Sequence, residues 1–291
     1  MKKLWVVLLV VSAMAASALA EQNDLEAIKK RGVLRHLGVP YANFVTGTGD
    51  GLSIELMQLF AEHLGVKYQF VQTSWADSIA DLTGKQVASV GDDDVKITGT
   101  APIKGDVISN GLTILPWREK VLAFSTPTFP TQVWLVVRTD SGIRPITPSG
   151  DIEQDIAAVK AVIANKSVLG KLNTCLDPAL YSLDAVGAHP LLFDGSLNDI
   201  APAVINGAAE TGLLDVPDAL VAMGKWPGMT LVVGPISPQQ FMAEGFRRDD
   251  DSLRLEYNRF FARIKADGTY AKLAKKYYPA VFDYYPEFFT N

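Results

Sequence analysis

The chain has 291 residues, 48% of them hydrophobic and 20% charged, with 27 basic against 32 acidic side chains. That is ordinary globular material, enough for one or two domains with sizeable cores. The net charge of −5 argues against nucleic acid or an anionic membrane as partner, because both call for basic patches. Cys175 is the only cysteine, so no internal disulfide can form. His36, His63 and His189 stand far apart without ligand spacing, so neither a metal site nor a cofactor is expected.

Met1-Lys-Lys-Leu4 is a positive segment, and Trp5 to Ala16 is an apolar run shorter than a membrane span of about 20 residues. Ala18-Leu-Ala20 has the small-x-small form of a cleavage site, so a secretory leader over residues 1–20 is expected, with Glu21 first in the mature chain. Without Lys2 and Lys3 the balance is 25 basic against 32 acidic residues, a net charge of −7.

Asp24 to Gly32 reads as a short capped helix and Val33 to Val39 as a strand, followed by the aromatic turn Pro40-Tyr-Ala-Asn-Phe44. Gly51 to Leu64 places Leu52, Leu56, Leu59, Phe60 and Leu64 on one helical face, and Gly65 stops it. Lys67 to Gln72 alternates as a strand, and Trp75 opens a helix that Gly84 closes. This β-α-β-α order predicts an α/β sheet. Between Lys85 and Asp106, Val95-Lys-Ile-Thr98 alternates and suggests a hairpin. Asp92, Asp93 and Asp94 lack the spacing of a calcium loop and read as a solvated turn.

Asn110 to Leu115 reads as a strand that Pro116 prevents from continuing. Arg118 follows at its carboxyl end, where open α/β sheets hold their ligands, and a guanidinium there can grip a carboxylate with two parallel hydrogen bonds. Gln132 to Arg138 is an apolar strand, with a crossing between domains expected near Arg138. Asp151 to Ala164 is helical, Ser167 to Gly170 a strand, and Asn173 to Pro178 the start of a further helix, where unpaired N–H groups could meet an anion. Asn173 or Thr174 could equally be a plain N-cap, and Cys175 reads as a packed thiol or a backbone donor. Asn198 to Ile205 is a helix. The strand after Gly207 ends in Asp215, which is either a helix cap or a carboxylate awaiting a cation. Met229 to Val233 is the return strand, Gly234 to Pro238 a second crossing, and two helices follow, over 251–265 and from Asp267 to before Pro279.

Several phrases together resemble the family-3 extracellular solute-binding proteins, the periplasmic receptors of amino-acid ABC importers. Gly111-Leu-Thr-Ile-Leu-Pro-Trp-Arg118 followed by Phe124-Ser-Thr-Pro127 is similar to that family's Thr-x-x-x-x-Arg, Phe-Ser-x-Pro signature. Gly51-Leu-Ser-Ile-Glu-Leu56, Phe246-Arg-Arg-Asp249 and Asp267-Gly-Thr269 are further family-like phrases. The resemblance covers nearly the whole mature chain, with 86–106 and 141–160 matching poorly. It implies an α/β, two-lobed periplasmic-binding-protein fold of type II, with two hinge crossings and the ligand in the cleft between lobes. Lobe one would be residues 22–138 with 237–291, and lobe two 139–236.

By the same resemblance Arg118 and Thr113, with Gly111, would hold the ligand's α-carboxylate. Thr174 and Cys175 would donate to it from the second lobe, and Asp215 would take the α-ammonium. Tyr41, Phe44 and Trp75 would wall the pocket, although core packing is the ordinary fate of aromatics. Leu115, Trp117 and Trp75 add apolar bulk, which suggests a ligand less polar than glutamine or histidine. The implied partners are an amino acid or related carboxylate and the membrane permease of an ABC importer, for a monomeric, non-enzymatic, periplasmic receptor. Two alternatives stand beside it: a sensor for a membrane signalling partner, and a periplasmic enzyme such as a cyclohexadienyl dehydratase, for which Glu55, Glu119 and Glu210 are the glutamates available as acid. Murein transglycosylases share the lobes but need a further catalytic domain, for which the chain is expected to have no room.

Overall fold

The computed structural model describes residues 24–91 and 93–290. The leader expected at 1–20 lies outside the described residues, and so does Asp92. Among the described residues, no helix is long and apolar enough to cross a membrane.

Two five-stranded sheets carry the chain. The first runs in the order Lys67–Gln72, Val33–Gly38, Val107–Ile108, Gly245–Phe246, Ala123–Phe124, with the first three parallel and Gly245–Phe246 antiparallel to its neighbours. The second runs His189–Leu192, Ser167–Gly170, Thr211–Asp215, Val133–Arg138, Thr230–Pro235, with the first three parallel and Val133–Arg138 antiparallel to both strands beside it. A two-stranded ladder of Phe129–Thr131 with Gln240–Met242 lies between them in sequence on both passes.

Local chemistry explains most of these elements. Leu52–Leu64 buries Leu52, Leu56, Met57, Phe60 and Leu64 on one face and ends at Gly65, whose φ of 69° is the left-handed conformation that glycine adopts without strain. Ile152–Val162 starts where Asp151 accepts from the N–H groups of Glu153 and Gln154. Ser252–Ala266 turns Leu253, Tyr257, Phe260, Phe261 and Ile264 inward. The expected hairpin is present as Lys85–Val90 paired antiparallel with Asp94–Thr100.

The structure departs from or adds to the sequence reading at several elements. The strand expected at 110–115 is displaced: the sheet strand is Val107–Ile108, and Thr113 makes only an isolated bridge to Met242. Gly111 accounts for this, since its φ of 71° breaks extended geometry, and a Cβ there would lie 2.5 Å from the Phe44 ring. Val133–Arg138, near whose end a crossing between domains is expected, pairs inside the second sheet and is buried on both faces, as an apolar central strand is. Trp75 sits in a turn ahead of its helix, which begins at Ser78. The helix expected to end before Pro279 is present as Thr269–Tyr277, and two further short helices, Val281–Tyr284 and Pro286–Thr290, follow it.

The parallel strands of both sheets end towards one another. Val33–Gly38 feeds the aromatic turn, Ser167–Gly170 feeds the turn through Cys175, and Thr211–Asp215 ends in its own carboxylate. Side chains and backbone already touch across the gap, as where the Ala42 N–H donates to Asn198 Oδ1 at 2.7 Å.

Candidate functional site: a closed cleft between the two sheets

Arg118 lies in the short helix Pro116–Glu119 and is only 2% exposed. This is no surface arginine. Its Nη1 donates to the Thr113 carbonyl at 2.8 Å, and its Nη2 crosses to the Asn173 carbonyl at 3.1 Å. Both acceptors are neutral, so among the described residues no carboxylate is hydrogen-bonded to this buried guanidinium, and burial lowers its proton affinity. A desolvated cation held by two carbonyls is preorganised for an anion.

Asp215 faces it from the second sheet, 1% exposed. It occupies the N-cap position of Val216–Lys225 but makes no capping bond with its side chain. Instead its Oδ2 accepts from the Cys175 thiol at 2.7 Å and the Tyr41 hydroxyl at 3.3 Å, and its Oδ1 from the Thr131 hydroxyl at 3.2 Å. Burial pushes its pKa up to about 6, against the lowering effect of those three donors and of Arg118. The capping reading therefore fails, and the hydrogen bonds to this buried carboxylate come from neutral donors.

Cys175 is 4% exposed, and its thiol is pushed well above the ordinary range by burial and then by Asp215. A thiol held protonated is a poor nucleophile, which agrees with a packed role. Thr113 reaches it with a side-chain hydrogen bond, so Thr113, Cys175, Asp215 and Tyr41 form one connected cluster beside Arg118. Thr174 is spent locally. Its hydroxyl donates to the Lys171 carbonyl at 2.8 Å and accepts from the Leu176 N–H at 3.1 Å. The helix expected to start at Asn173 is absent: residues 172–176 form a turn, Asn173 takes a φ of 61°, and a four-residue 3-10 turn begins only at Pro178, capped by Asp177. The carbonyl of Asn173, rather than a helix N-terminus, is what this loop offers Arg118.

The aromatic wall is divided. Tyr41 is fully buried and meets Trp75 edge-on at 5.4 Å, with Trp75 half-buried at the cleft. A cavity of about 200 Å³ opens beside Trp75, Leu172, Asn173 and Phe193, at the mouth of the cluster. Phe44 turns away into the core, stacking on Tyr41 at 6.0 Å and meeting Phe129 and Tyr278 at 5.1 Å each, with Gly111 packed under its ring. Leu115 and Trp117 are each 4% exposed and belong to the core cluster, so the apolar bulk expected of the pocket is mostly core.

Four residues of the cluster escaped the sequence reading: Thr131, Tyr181, Asp218 and Gln240. Tyr181 donates its hydroxyl to the Cys175 carbonyl and is bonded to the Gln240 side chain. Asp218 is 6% exposed, beside Tyr41, and burial and then Asp215 push its pKa well up. The one available signal was spacing, since Asp215 and Asp218 stand three apart at the start of one helix and share a face. The glutamates considered as acids lie elsewhere. Glu55 pairs with Lys276 at 2.5 Å, Glu210 pairs with Lys166 at 2.9 Å, and Glu119 is exposed. Among the described residues, no group of His, Cys, Asp and Glu is arranged to hold a metal. A larger cavity, about 650 Å³, lies away from Arg118 between the 220–225 and 277–284 segments.

The chain is similar to several known proteins. The chain is 27% identical over 290 residues to the membrane-bound lytic murein transglycosylase F of Desulfosudis oleivorans, across 97% of this chain but only 57% of that protein. It is 25% identical to the L-cystine-binding protein TcyJ of Escherichia coli K12, across 93% and 91% of the two chains. Among solved structures, holo ArgBP from T. maritima superposes with a TM-score of 0.64 at 26% identity, covering 82% of this chain and 93% of its own. The ancestral amino-acid-binding protein AncCDT-1, a precursor of cyclohexadienyl dehydratase, gives 0.67 at 25%, covering 88% and 99%. The model of the bacterial extracellular solute-binding proteins of family 3 matches residues 92–280. With that match spanning most of the chain, on a two-lobed α/β fold shared with amino-acid-binding proteins, the chain belongs to family 3 of the bacterial extracellular solute-binding proteins.

Proposed function

We propose that the protein is an exported receptor that closes its two lobes around an α-amino acid or a closely related carboxylate and delivers it to the permease of an ABC importer. One observation carries this reading. A buried guanidinium without a carboxylate bonded to it and a buried carboxylate without a bonded cation face each other from different sheets. A free α-amino acid supplies the two missing charges at one carbon. Arg118 takes the carboxylate, Asp215 takes the ammonium, and the ligand thereby ties the lobes together. Tyr41 and Trp75 enclose it, while Gly111, Thr113, Thr174 and Cys175 shape the walls. Cys175 yields its place on Asp215 Oδ2 to the ammonium. Lobe one comprises residues up to the Phe129–Thr131 ladder and again from Gln240, with lobe two between. The segment 1–20 directs export. The amino-acid-binding relatives support this reading.

A thermal-shift screen tests it. A ligand at a hundred times its dissociation constant stabilises by about 2.7 kcal/mol, a rise of roughly 5–10 °C for a chain of this size. Shifts with sugars or divalent metals, and none with amino acids or other small carboxylates, would overturn the proposal.

A second reading, a lyase acting on a small carboxylate, draws on one feature: Asp215 has a pKa near 6, suited to proton transfer at neutral pH, beside a carboxylate-binding arginine. Conversion of prephenate to phenylpyruvate by the purified protein would favour it, and the absence of turnover would leave the receptor.

A further inference from the structure

The segment 281–290 crosses the hinge. Its two short helices, Val281–Tyr284 and Pro286–Thr290, lie outside the family match, and three of their aromatic rings meet the passes between the lobes. Phe289 meets Phe129 at 6.1 Å, and Phe288 stacks on Phe241 at 6.1 Å. Phe129 and Phe241 belong to the two paired strands of the ladder, one on each pass of the chain. Tyr284 meets Trp134 at 5.5 Å, and Trp134 lies at the start of the buried strand Val133–Arg138 in the second sheet.

The segment is tied to lobe one at both ends. Just before it, the Asn43 N–H donates to the Tyr278 hydroxyl at 2.8 Å and Asn43 Nδ2 to the Tyr277 carbonyl at 2.9 Å. At its far end Phe289 also stacks on Tyr270 at 6.2 Å, and Lys265 Nζ lies 5.1 Å from the Phe288 ring. Trp134 is fixed on the other side. It is 7% exposed, its Nε1 donates to Gln132 Oε1 at 2.8 Å, and Gln132 Nε2 donates to the Ser237 carbonyl at 2.9 Å on the return pass. Alongside, the lobes stand apart, with the cavity of about 650 Å³ between the 220–225 and 277–284 segments. The Tyr284–Trp134 pair is therefore a bridge beside a gap. Tyr285 bears on the cleft as well, since burial and then Asp215 raise its hydroxyl to about 12.

Rotation of one lobe about the ladder moves Trp134 relative to Phe129 and Phe241, and so relative to Tyr284. A contact made in one conformer and lost in the other shifts the equilibrium between them by its own contribution. Resting on the receptor reading above, we infer that residues 281–290 form a strap across the hinge, whose Tyr284–Trp134 contact favours the closed form before any ligand arrives. Tyr284 is then a positioning residue: it touches no ligand and sets how much of the empty protein is ready to bind.

The test uses the full protein with Tyr284→Ala and Tyr284→Phe. Tyr284 is 50% exposed, so truncating it spares the core, and phenylalanine keeps the ring. In small-angle scattering without ligand, Tyr284→Ala is expected to have a larger radius of gyration than wild type, and Tyr284→Phe the same one. In calorimetric titration with arginine, glutamine and leucine, affinity for whichever binds should fall about two- to tenfold in Tyr284→Ala, the contribution of one aromatic pair, and stay at the wild-type value in Tyr284→Phe. A ligand-free radius and an affinity both equal to wild type in Tyr284→Ala would overturn the strap. So would a more compact Tyr284→Ala, or the same loss in Tyr284→Phe. Failure of all three amino acids to bind tells against the receptor reading instead, and the ligand-free radius then decides the strap by itself.

Discussion

Replacing Arg118 with alanine separates a carboxylate anchor from a structural arginine. In the empty protein the change removes hydrogen bonds to the Thr113 and Asn173 carbonyls. Two such bonds contribute about 0.5–1.5 kcal/mol each. Removal also relieves a desolvated cation, so the net change in unfolding free energy should stay within about 2 kcal/mol. Ligand binding should respond far more strongly. A bound carboxylate would be left desolvated without its bidentate partner, which costs about 2–5 kcal/mol, or roughly 30-fold to several thousand-fold in affinity. Arg118→Lys should recover only part of the loss, because a point charge cannot reproduce the planar fork. Calorimetric titration of the three proteins, with unfolding followed in denaturant, gives both quantities. Equal affinities across all three would remove Arg118 from the site and take the paired-charge reading of the cleft with it.

Other outcomes follow from the same geometry. Asp215 is held near 6 when folded and near 3.8 when unfolded, so its burial penalises the empty fold fully above pH 6 and fades as pH falls towards 4. Asp215→Asn should therefore raise the stability of the empty protein at pH 7 by up to about 3 kcal/mol in denaturant melts while abolishing ligand binding. An equal or lower stability would show that the carboxylate is better solvated than its burial implies. Wild-type affinity should weaken as pH drops below 6, by up to about tenfold per unit, since the ammonium needs the ionised carboxylate. A flat affinity from pH 7 to 5 would contradict that pairing. Cys175 should react with iodoacetamide more slowly than a free thiol and more slowly still with ligand present, as mass spectrometry would record. Arg247 pairs with Asp24 at 2.6 Å and donates to the Leu82 and Gly105 carbonyls, touching none of the cleft residues. Arg247→Ala should cost about 3–5 kcal/mol of stability and leave affinity within twofold.

What the sequence could reveal was governed by periodicity and capping. Gly65, Gly84 and Asp151 each mark a helix end by local backbone chemistry, and the structure uses them as written. Alternation found the hairpin around Val95 to Thr98. Elements defined by distant partners were less legible. Asn110 to Leu115 has the composition of a strand, but Gly111 must take a positive φ to let Phe44 pack beneath the loop, and nothing local announces that. Val133–Arg138 reads as a strand from its residues, yet only its pairing with Thr211–Asp215 and Thr230–Pro235 assigns it to the second sheet. In the cleft, the position of Asp215 was accessible because a strand end places it, whereas Arg118 lies in a short helix after Pro116 and not at the strand end expected of it. Thr131, Tyr181 and Gln240 were not accessible, since each enters from a segment whose facing is set by the other lobe. Thr174 shows the opposite limit: a hydroxyl beside the site is consumed by its own turn.

The most direct test of the central claim is the structure of the protein crystallised with the amino acid that the screen selects. The account predicts the ligand's carboxylate bidentate on the Arg118 guanidinium and its ammonium within hydrogen-bond distance of Asp215, with the Cys175 thiol displaced from Oδ2. A ligand seated elsewhere, for example in the 650 Å³ cavity between the 220–225 and 277–284 segments, or one whose carboxylate avoids Arg118, would contradict it.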